Sequence, residues 1–310
     1  MGTSSAVPST DLEALAEFLG FAPQNLYRLA YLGPNAYKKI DVPKKNSDEK
    51  RTLTVPNLEL KGVQKQINFY ILKRVEVHHC AYAYVPGRSV YKAAKKISNN
   101  SVVLHLDIKE FFDNISANRV YGVYKSIGYS DKASWILTKL TTYDNYICQG
   151  SPTSPFLSNI VCINLDKNLT TLARKWGLSY IRYSDDLYFC GSKDFKHHMF
   201  KGVVANVLRD NGFRLNNKKT RYFRANQPRK TLGLMTHGRS PDLPRRVRRN
   251  YRAAFFRAST DLDWARDNFE KLTGMAEWYK EVYGKDDTFL EYRRILSNVK
   301  KLRLHSQYSV

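Results

Sequence analysis

The chain has 310 residues, of which 43% are hydrophobic and 13% aromatic, so it can bury a sizeable core and is not disordered as a whole. Its 51 Lys and Arg against 28 Asp and Glu give a formal net charge of +23, which indicates a polyanionic partner. A membrane partner is not expected, because the start has no signal-peptide pattern and no stretch approaches about 18 consecutive apolar residues. We expect a cytoplasmic protein.

The first hundred residues predict helices followed by a basic hairpin. Helical periodicity covers residues 10–19 and 23–32. A polar, lysine-rich stretch then contains the alternating strand pattern RTLTV at 51–55, and residues 58–77 read as one long helix.

The middle of the chain predicts a sheet. The apolar run VVLHLD at 102–107 ends in an acid and is followed by a helix from about Ala117, and QGSPTSP at 149–155 precedes a helix over 156–175. YIRYSDDLYF at 180–189 reads as two strands joined by a turn over 184–187. Further expected elements are a helix at 194–211 and strands near 213–216 and 230–235. This order predicts an α+β fold, an antiparallel sheet with helices on one face.

The C-terminal part predicts a small helical domain, with helices near 244–259, 262–283 and 288–304. Positive charge is concentrated before and within its first helix, since residues 214–257 contain 14 Lys and Arg and one acid, Asp242. The expected boundaries are 1–100 for the N-terminal helices and hairpin, 101–236 for the sheet and 237–310 for the helical domain.

Three acids are candidates for the chemistry. Asp107 ends one predicted strand, and Asp185 and Asp186 lie in the predicted turn of the hairpin. Carboxylates that approach one another are costly to ionise unless a cation lies between them. Oxygen ligands of this kind suit Mg²⁺, and two such ions can stabilise the attacking and leaving oxygens of a phosphoryl transfer. Turn chemistry and helix capping would explain either motif alone.

Four motifs together resemble those of reverse transcriptases, most closely the bacterial retron enzymes. They are LDIKEFFDNI at 106–115, QGSPTSPFLSN at 149–159, YSDD at 183–186 and NNKKT at 216–220, similar to motifs A to D, and the resemblance covers about residues 38–234. It implies a right-hand polymerase with fingers, a palm that carries the acids and a helical thumb, which would correspond to the three ranges above.

The resemblance also implies roles for individual residues. Asp107 and Asp185 would bind two Mg²⁺ ions, with the carbonyl of Ile108 as a further ligand and Asp186 completing the acidic turn. Lys219 would be the general acid that protonates the leaving pyrophosphate, although Lys218 is equally basic.

Residues that would bind the incoming deoxynucleotide come from three segments. Phe112 matches the steric gate against a 2′-hydroxyl, and Gln149 and Gly150 match the loop beside the nucleotide and template. Arg51, with Lys45, would grip the triphosphate, because a guanidinium matches phosphate geometry. Core packing, a plain linker and a solvated hairpin are the competing explanations.

The segment PRRVRRNYRAAFFR at 244–257 places arginines on most faces of a predicted helix, with aromatic residues between them. Arginine contacts phosphate and stacks on unpaired bases, so a structured RNA is the expected ligand. A solvated helix face is the alternative. The candidate RNA-binding residues are Arg245, Arg246, Arg248, Arg249 and Arg252.

For function, the resemblance implies an enzyme that copies a cognate noncoding RNA into single-stranded DNA from a 2′-hydroxyl primer, leaving a branched product. It further implies a role in defence against phage with a separate effector protein. The chain has AAKKI at 93–97 where retron enzymes usually carry Asn-Ala-x-x-His, and Thr231-Leu232-Gly233 where they carry Val-Thr-Gly. A group II intron-like enzyme with a 3′-hydroxyl primer and a nonenzymatic RNA-binding scaffold are the alternatives.

Overall fold

A computed structural model describes residues 12–43, 50–225 and 227–307. The chain divides into two compact units. The first comprises Met1–Ser89 and Val103–Tyr222, and the second comprises Val90–Val102 and Phe223–Val310. Helices and antiparallel strand pairs occur together, so the α+β prediction is confirmed. Among the described residues, no helix is both long and apolar enough to cross a bilayer.

The α-helices are α1 (Leu12–Leu19), α2 (Pro23–Leu32), α3 (Leu58–Tyr70), α4 (Val90–Ser98), α5 (Ala117–Ile127), α6 (Asp131–Thr141), α7 (Ser154–Val161), α8 (Ile163–Lys175), α9 (His197–Asp210), α10 (Arg245–Thr260), α11 (Leu262–Asp267), α12 (Phe269–Tyr283) and α13 (Asp287–Gln307). The strands are β1 (Tyr37–Pro43), β2 (Lys50–Pro56), β3 (Val102–Lys109), β4 (Ser179–Tyr183), β5 (Asp186–Gly191), β6 (Arg214–Leu215), β7 (Arg221–Phe223), β8 (Lys230–Thr231) and β9 (Leu234–Met235).

The main sheet has the order β4-β5-β3-β6, and β7 also pairs with β3. β4 and β5 are antiparallel with Tyr183 opposite Asp186, so Ser184 and Asp185 form a two-residue turn. β3 is almost entirely buried, and its Leu104 has no exposed surface. The central position of β3 explains its β-branched, apolar sequence, because both of its faces are covered.

A separate antiparallel ribbon is formed by β1 and β2, which pair from Tyr37 with Pro56 to Pro43 with Lys50. Its far end is exposed, whereas Thr54 and Pro56 are buried. After the ribbon, Asn57 begins α3 by accepting a hydrogen bond from the amide of Leu60 at 2.9 Å. The side-chain cap explains why the helix begins directly after the strand.

The second unit consists of α4, the short hairpin β8-β9 and helices α10 to α13 around their own core. Phe255 of α10 stacks on Tyr292 of α13, with ring centroids 3.7 Å apart. Leu272 and Ala276 of α12 are fully buried in the same cluster.

Three predicted helices are wrong in length because local breaks interrupt them. α3 ends at Tyr70, and a separate short 3₁₀ helix, Leu72–Arg74, follows Ile71. The helix expected over 156–175 is two helices, because Cys162 has ψ 1°. The helix expected over 262–283 is also two, divided at Asn268 with ψ 13°. Apolar periodicity continues across these breaks, so it does not reveal them.

Candidate active site

Asp107, near the end of β3, receives two side-chain donors from the segment that follows β6. Only 4% of its side chain is exposed. The amide of Asn216 donates to Oδ1 at 2.8 Å, and Nζ of Lys219 lies 2.8 Å from Oδ2. Because β6 pairs with the end of β3, the motif at 216–220, which follows β6, lies next to this carboxylate.

Asp185 lies in the turn between β4 and β5, next to β3. The amide N–H of Ile108 donates to the carbonyl oxygen of Asp185 at 2.9 Å. Standard bond lengths then limit the separation of the Asp107 and Asp185 Cα atoms to about 8 Å. Two acids that are 78 positions apart in the sequence therefore lie side by side.

Asp186, the first residue of β5, is bonded to a residue that the sequence analysis did not single out. His105 of β3 places Nε2 2.6 Å from Asp186 Oδ1. The His105 ring also stacks on Tyr188, with centroids 4.7 Å apart and an interplanar angle of 10°. The available signal was a single polar side chain inside the apolar run VVLHLD.

The charges of this cluster perturb two ionisable groups. Burial raises the pKa of Asp185, and the negative charges of Asp186 and Asp107 raise it further. Partial burial lowers the pKa of Lys219, but its hydrogen bond to Asp107 and the charges of the three aspartates outweigh that effect and raise it overall. The ionised form of Asp185 is therefore disfavoured in the folded protein, whereas the ionised form of Lys219 is favoured.

A divalent cation fits these residues. The carboxylates of Asp107 and Asp185 supply hard oxygen donors, and the raised pKa of Asp185 shows that a positive charge would be stabilising there. Within the described ranges, no group of three or more His, Cys, Asp or Glu side chains is placed to hold a metal ion. Two protein carboxylates are nevertheless within the usual ligand number for Mg²⁺.

The loop with Gln149 and Gly150 is bound to the ribbon that carries Arg51. The amide of Thr54 in β2 donates to the carbonyl oxygen of Gln149 at 2.7 Å. Gly150 has φ +119°, and a Cβ at this position would lie 2.7 Å from the carbonyl oxygen of Thr54. Only glycine permits this approach. Arg51 itself is exposed, and Lys45 lies outside the described residues.

Phe112 begins the short 3₁₀ helix Phe112–Asn114 after β3, and its half-buried ring packs at the edge of the core. The amide of Ile147 donates to the carbonyl oxygen of Ile115 at 3.0 Å, which joins this segment to the one before Gln149. The three segments that supply the candidate nucleotide residues are thus connected by backbone hydrogen bonds.

The basic helix α10 is amphipathic, so arginines do not surround it completely. Phe255 and Ala258 are buried on one side. Arg245, Arg249 and Arg252 follow helical spacing along one exposed stripe together with Phe256, whose surface is 72% exposed. The exposed side-chain set also includes Arg246, whereas Arg248 is half-buried, with Nη1 3.6 Å from Asp242 Oδ2.

Comparison with known proteins identifies one family. The family model for reverse transcriptase (RNA-dependent DNA polymerase) matches residues 42–236. The match contains the three aspartates, Lys219 and the ribbon strand with Arg51.

Curated relatives of the chain are retron reverse transcriptases. The retron Ec86 reverse transcriptase of Escherichia coli is 26% identical, with 94% of this chain and 89% of that protein covered. The retron Mx162 reverse transcriptase of Myxococcus xanthus is 29% identical, with 85% of this chain and 62% of that protein covered, so the chain spans less than two thirds of the Myxococcus relative. A solved Candida albicans telomerase in complex with a telomeric RNA fragment is 11% identical, with a TM-score of 0.47 and coverage of 85% and 63% of the two chains.

Replacement of Asp185 by Asn is expected to stabilise the protein at pH 7 without divalent cations. Because folding raises the pKa of this carboxyl, its favourable contribution is present below its unfolded pKa and is lost as pH rises through the folded value. At pH 7 the charged form is the costly one, and the neutral amide removes that cost. Thermal unfolding in EDTA should give a higher midpoint for Asp185→Asn at pH 7, and the difference should shrink towards pH 4.

The matched control is Asp210→Asn, which removes an exposed carboxylate at the end of α9 and should leave the midpoint unchanged. A lower midpoint for Asp185→Asn than for wild type at pH 7 would contradict the electrostatic description of the site.

Proposed function

The chain belongs to the reverse transcriptase family, whose model spans residues 42–236 of its 310, and on that premise we propose that it is an RNA-directed DNA polymerase of the retron type. The observation that carries the proposal is the approach of Asp107 and Asp185 through the Ile108 hydrogen bond. A nonenzymatic RNA-binding scaffold would not require two acidic residues to lie next to each other.

The proposed reaction is attack of a primer hydroxyl on the α-phosphate of a deoxynucleoside triphosphate, with pyrophosphate as the leaving group. Asp107 and Asp185 would hold two Mg²⁺ ions, with the carbonyl of Ile108 as a further ligand. Bound there, the ions would supply charge stabilisation to the attacking and leaving oxygens. Asp186 would add negative charge to the site while its hydrogen bond to His105 fixes its side chain.

Lys219 is proposed as the general acid. Its ammonium is bonded to Asp107, and its pKa is raised overall, so it remains protonated at neutral pH. A protonated amine at this position can donate its proton to the leaving pyrophosphate. Its 60% exposed side chain has room to move from Asp107 towards a bound substrate.

Nucleotide binding would use the ribbon and the loops that are bonded to it. We assign triphosphate contacts to Arg51 and Lys45, and contacts with the base pair to Gln149 and Gly150. Phe112 would exclude a 2′-hydroxyl. The hydrogen bond from Thr54 to Gln149 supports this grouping, because it makes movement of the ribbon and the loop interdependent.

We base our proposals for the primer and the biological role on the similarity to retron reverse transcriptases. We propose that a 2′-hydroxyl of the cognate structured RNA is the primer, that the product is single-stranded DNA branched from that RNA, and that a separate effector links it to defence against phage. Sequencing and linkage analysis of the copurifying nucleic acid should find DNA on a 2′,5′ branch. DNA on an ordinary 3′ end would indicate the group II intron-like alternative.

The polymerase assignment predicts that Asp185→Asn combined with Asp186→Asn reduces deoxynucleotide incorporation at least 1,000-fold, on the order of the loss expected when metal-based charge stabilisation is removed. RNA binding should change less than twofold, because we assign RNA binding to the exposed arginines of α10 and not to these acids. Incorporation into a primed RNA template and binding of the same RNA are measured in parallel, with Asp210→Asn as the control. Incorporation at the wild-type rate would refute the site.

The exposed side of α10 predicts a strong salt dependence of RNA binding. The triple variant Arg245→Glu, Arg249→Glu and Arg252→Glu should bind RNA more weakly. The slope of log K against log salt concentration should also decrease in magnitude by roughly 2 to 3, because each lost phosphate contact removes about one released cation. The control is the same charge reversal at Lys271, Lys285 and Lys300, which are exposed elsewhere in this unit. Equal effects of the two triple variants would argue against a specific RNA surface on α10.

A further inference from the structure

A buried ion pair lies behind the turn that carries Asp185. Arg182 of β4 and Asp166 of α8 both have no exposed surface. Nε and Nη2 of Arg182 donate to the two carboxylate oxygens of Asp166 at 2.8 and 2.7 Å. The hydroxyl of Tyr180 adds a third donor to the same carboxylate at 3.1 Å. This bidentate arrangement fixes the plane of the guanidinium.

The remaining nitrogen of the guanidinium is directed at the turn. Nη1 of Arg182 donates to Oδ1 of Asn159 at 3.0 Å and to the carbonyl oxygen of Ser184 at 3.3 Å. Asn159 belongs to α7, and its own amide donates to the carbonyl oxygen of Ala83 at 2.7 Å. One side chain therefore connects two helices with the residue that precedes Asp185.

The segment at 80–84 supports the turn from a second side. It runs along β4, with the amide of Arg182 donating to the carbonyl of Cys80 and the amide of Tyr82 donating to the carbonyl of Arg182, both at 2.8 Å. The segment ends at Tyr84, whose hydroxyl donates to Oγ of Ser184 at 3.2 Å. Ser184 is thus held through both its carbonyl and its side chain.

Ser184 needs such support because of its backbone. Its φ is +59°, in the left-handed region that residues other than glycine rarely adopt. A conformation of this kind persists only where surrounding contacts determine it. The adjacent residue is Asp185, whose carbonyl oxygen accepts a hydrogen bond from the amide of Ile108, the residue after Asp107. Any relaxation at Ser184 would therefore change the separation of the two acids.

We propose that Arg182 is a positioning residue for polymerisation: its guanidinium fixes the Ser184 carbonyl and thereby sets the carboxylate of Asp185 at the place where Asp107 and Asp185 share a cation. This inference rests on the proposed function. A role in stability alone does not require the contact with Ser184, because buried ion pairs can often be replaced by apolar side chains without loss of stability.

The test compares Arg182→Lys with Tyr84→Phe in single-nucleotide incorporation with the full chain and a primed RNA template. Lysine keeps the positive charge opposite Asp166 but lacks the planar five-donor group, so it cannot bond Asp166, Asn159 and Ser184 together. We expect kcat to fall at least 10-fold and the Mg²⁺ concentration for half-maximal rate to rise several-fold, while KM for the deoxynucleotide and RNA affinity stay within twofold.

Tyr84→Phe removes one hydroxyl from a side chain that is 41% exposed, so its folding is not at risk. This variant should lower kcat two- to fivefold and, like Arg182→Lys, raise the Mg²⁺ concentration for half-maximal rate. The control is Leu137→Ala in α6, a fully buried position in a helix that carries none of the site residues, which should lower the thermal midpoint without altering the Mg²⁺ dependence.

The inference would be overturned if Tyr84→Phe left kcat and the Mg²⁺ dependence unchanged and Arg182→Lys did the same. It would also be overturned if Tyr84→Phe left both unchanged and Arg182→Lys, like Leu137→Ala, lowered only the thermal midpoint. If Arg182→Lys does not fold, Tyr84→Phe decides the question by itself. Absence of incorporation by the wild-type protein would instead count against the proposed function.

Discussion

The structure depends on one constraint, which is that two carboxylates are brought together at the junction of β3 and the β4-β5 turn. The hydrogen bond from the Ile108 amide to the Asp185 carbonyl oxygen holds the backbones of the two acidic residues next to each other. Burial raises the pKa of Asp185, the charges of Asp186 and Asp107 raise it further, and ionisation there is costly without a neighbouring positive charge. In the structure that charge comes from Lys219, which is bonded to Asp107. The same cost is what makes the site suited to a divalent cation.

Stability and function make opposite demands on this site. A hairpin without Asp185 and without a left-handed serine would be less strained, yet it would carry no paired acids. Neighbouring residues stabilise the strained turn, since Arg182 is buried with Asp166 and Asn159 beneath it. Strained and electrostatically unfavourable residues commonly cluster at functional sites and are maintained by well-packed neighbours.

Much of the protein was predictable because its signals are local in the sequence. The motifs at 106–115, 149–159, 183–186 and 216–220 indicated a retron-type reverse transcriptase with a right-hand polymerase fold, and family membership confirms both. The strands β2, β3, β4 and β5 were also predicted within a few residues, because β-branched and aromatic runs bounded by turns are typical of strands. Helix breaks at Ile71, Cys162 and Asn268 were missed, since apolar periodicity continues through them.

Contacts between distant segments were beyond the reach of sequence patterns. Nothing local distinguishes His105 from a packing residue, or Arg182 from a solvated strand residue, because their partners Asp186 and Asp166 are 81 and 16 positions away. The amino-acid sequence by itself determined the residue types, the strand and turn propensities and the excess positive charge, all of which depend on neighbours along the chain. Only the tertiary structure decided which donors reach each carboxylate, because that depends on strand order and on how helices α7 and α8 pack around the hairpin.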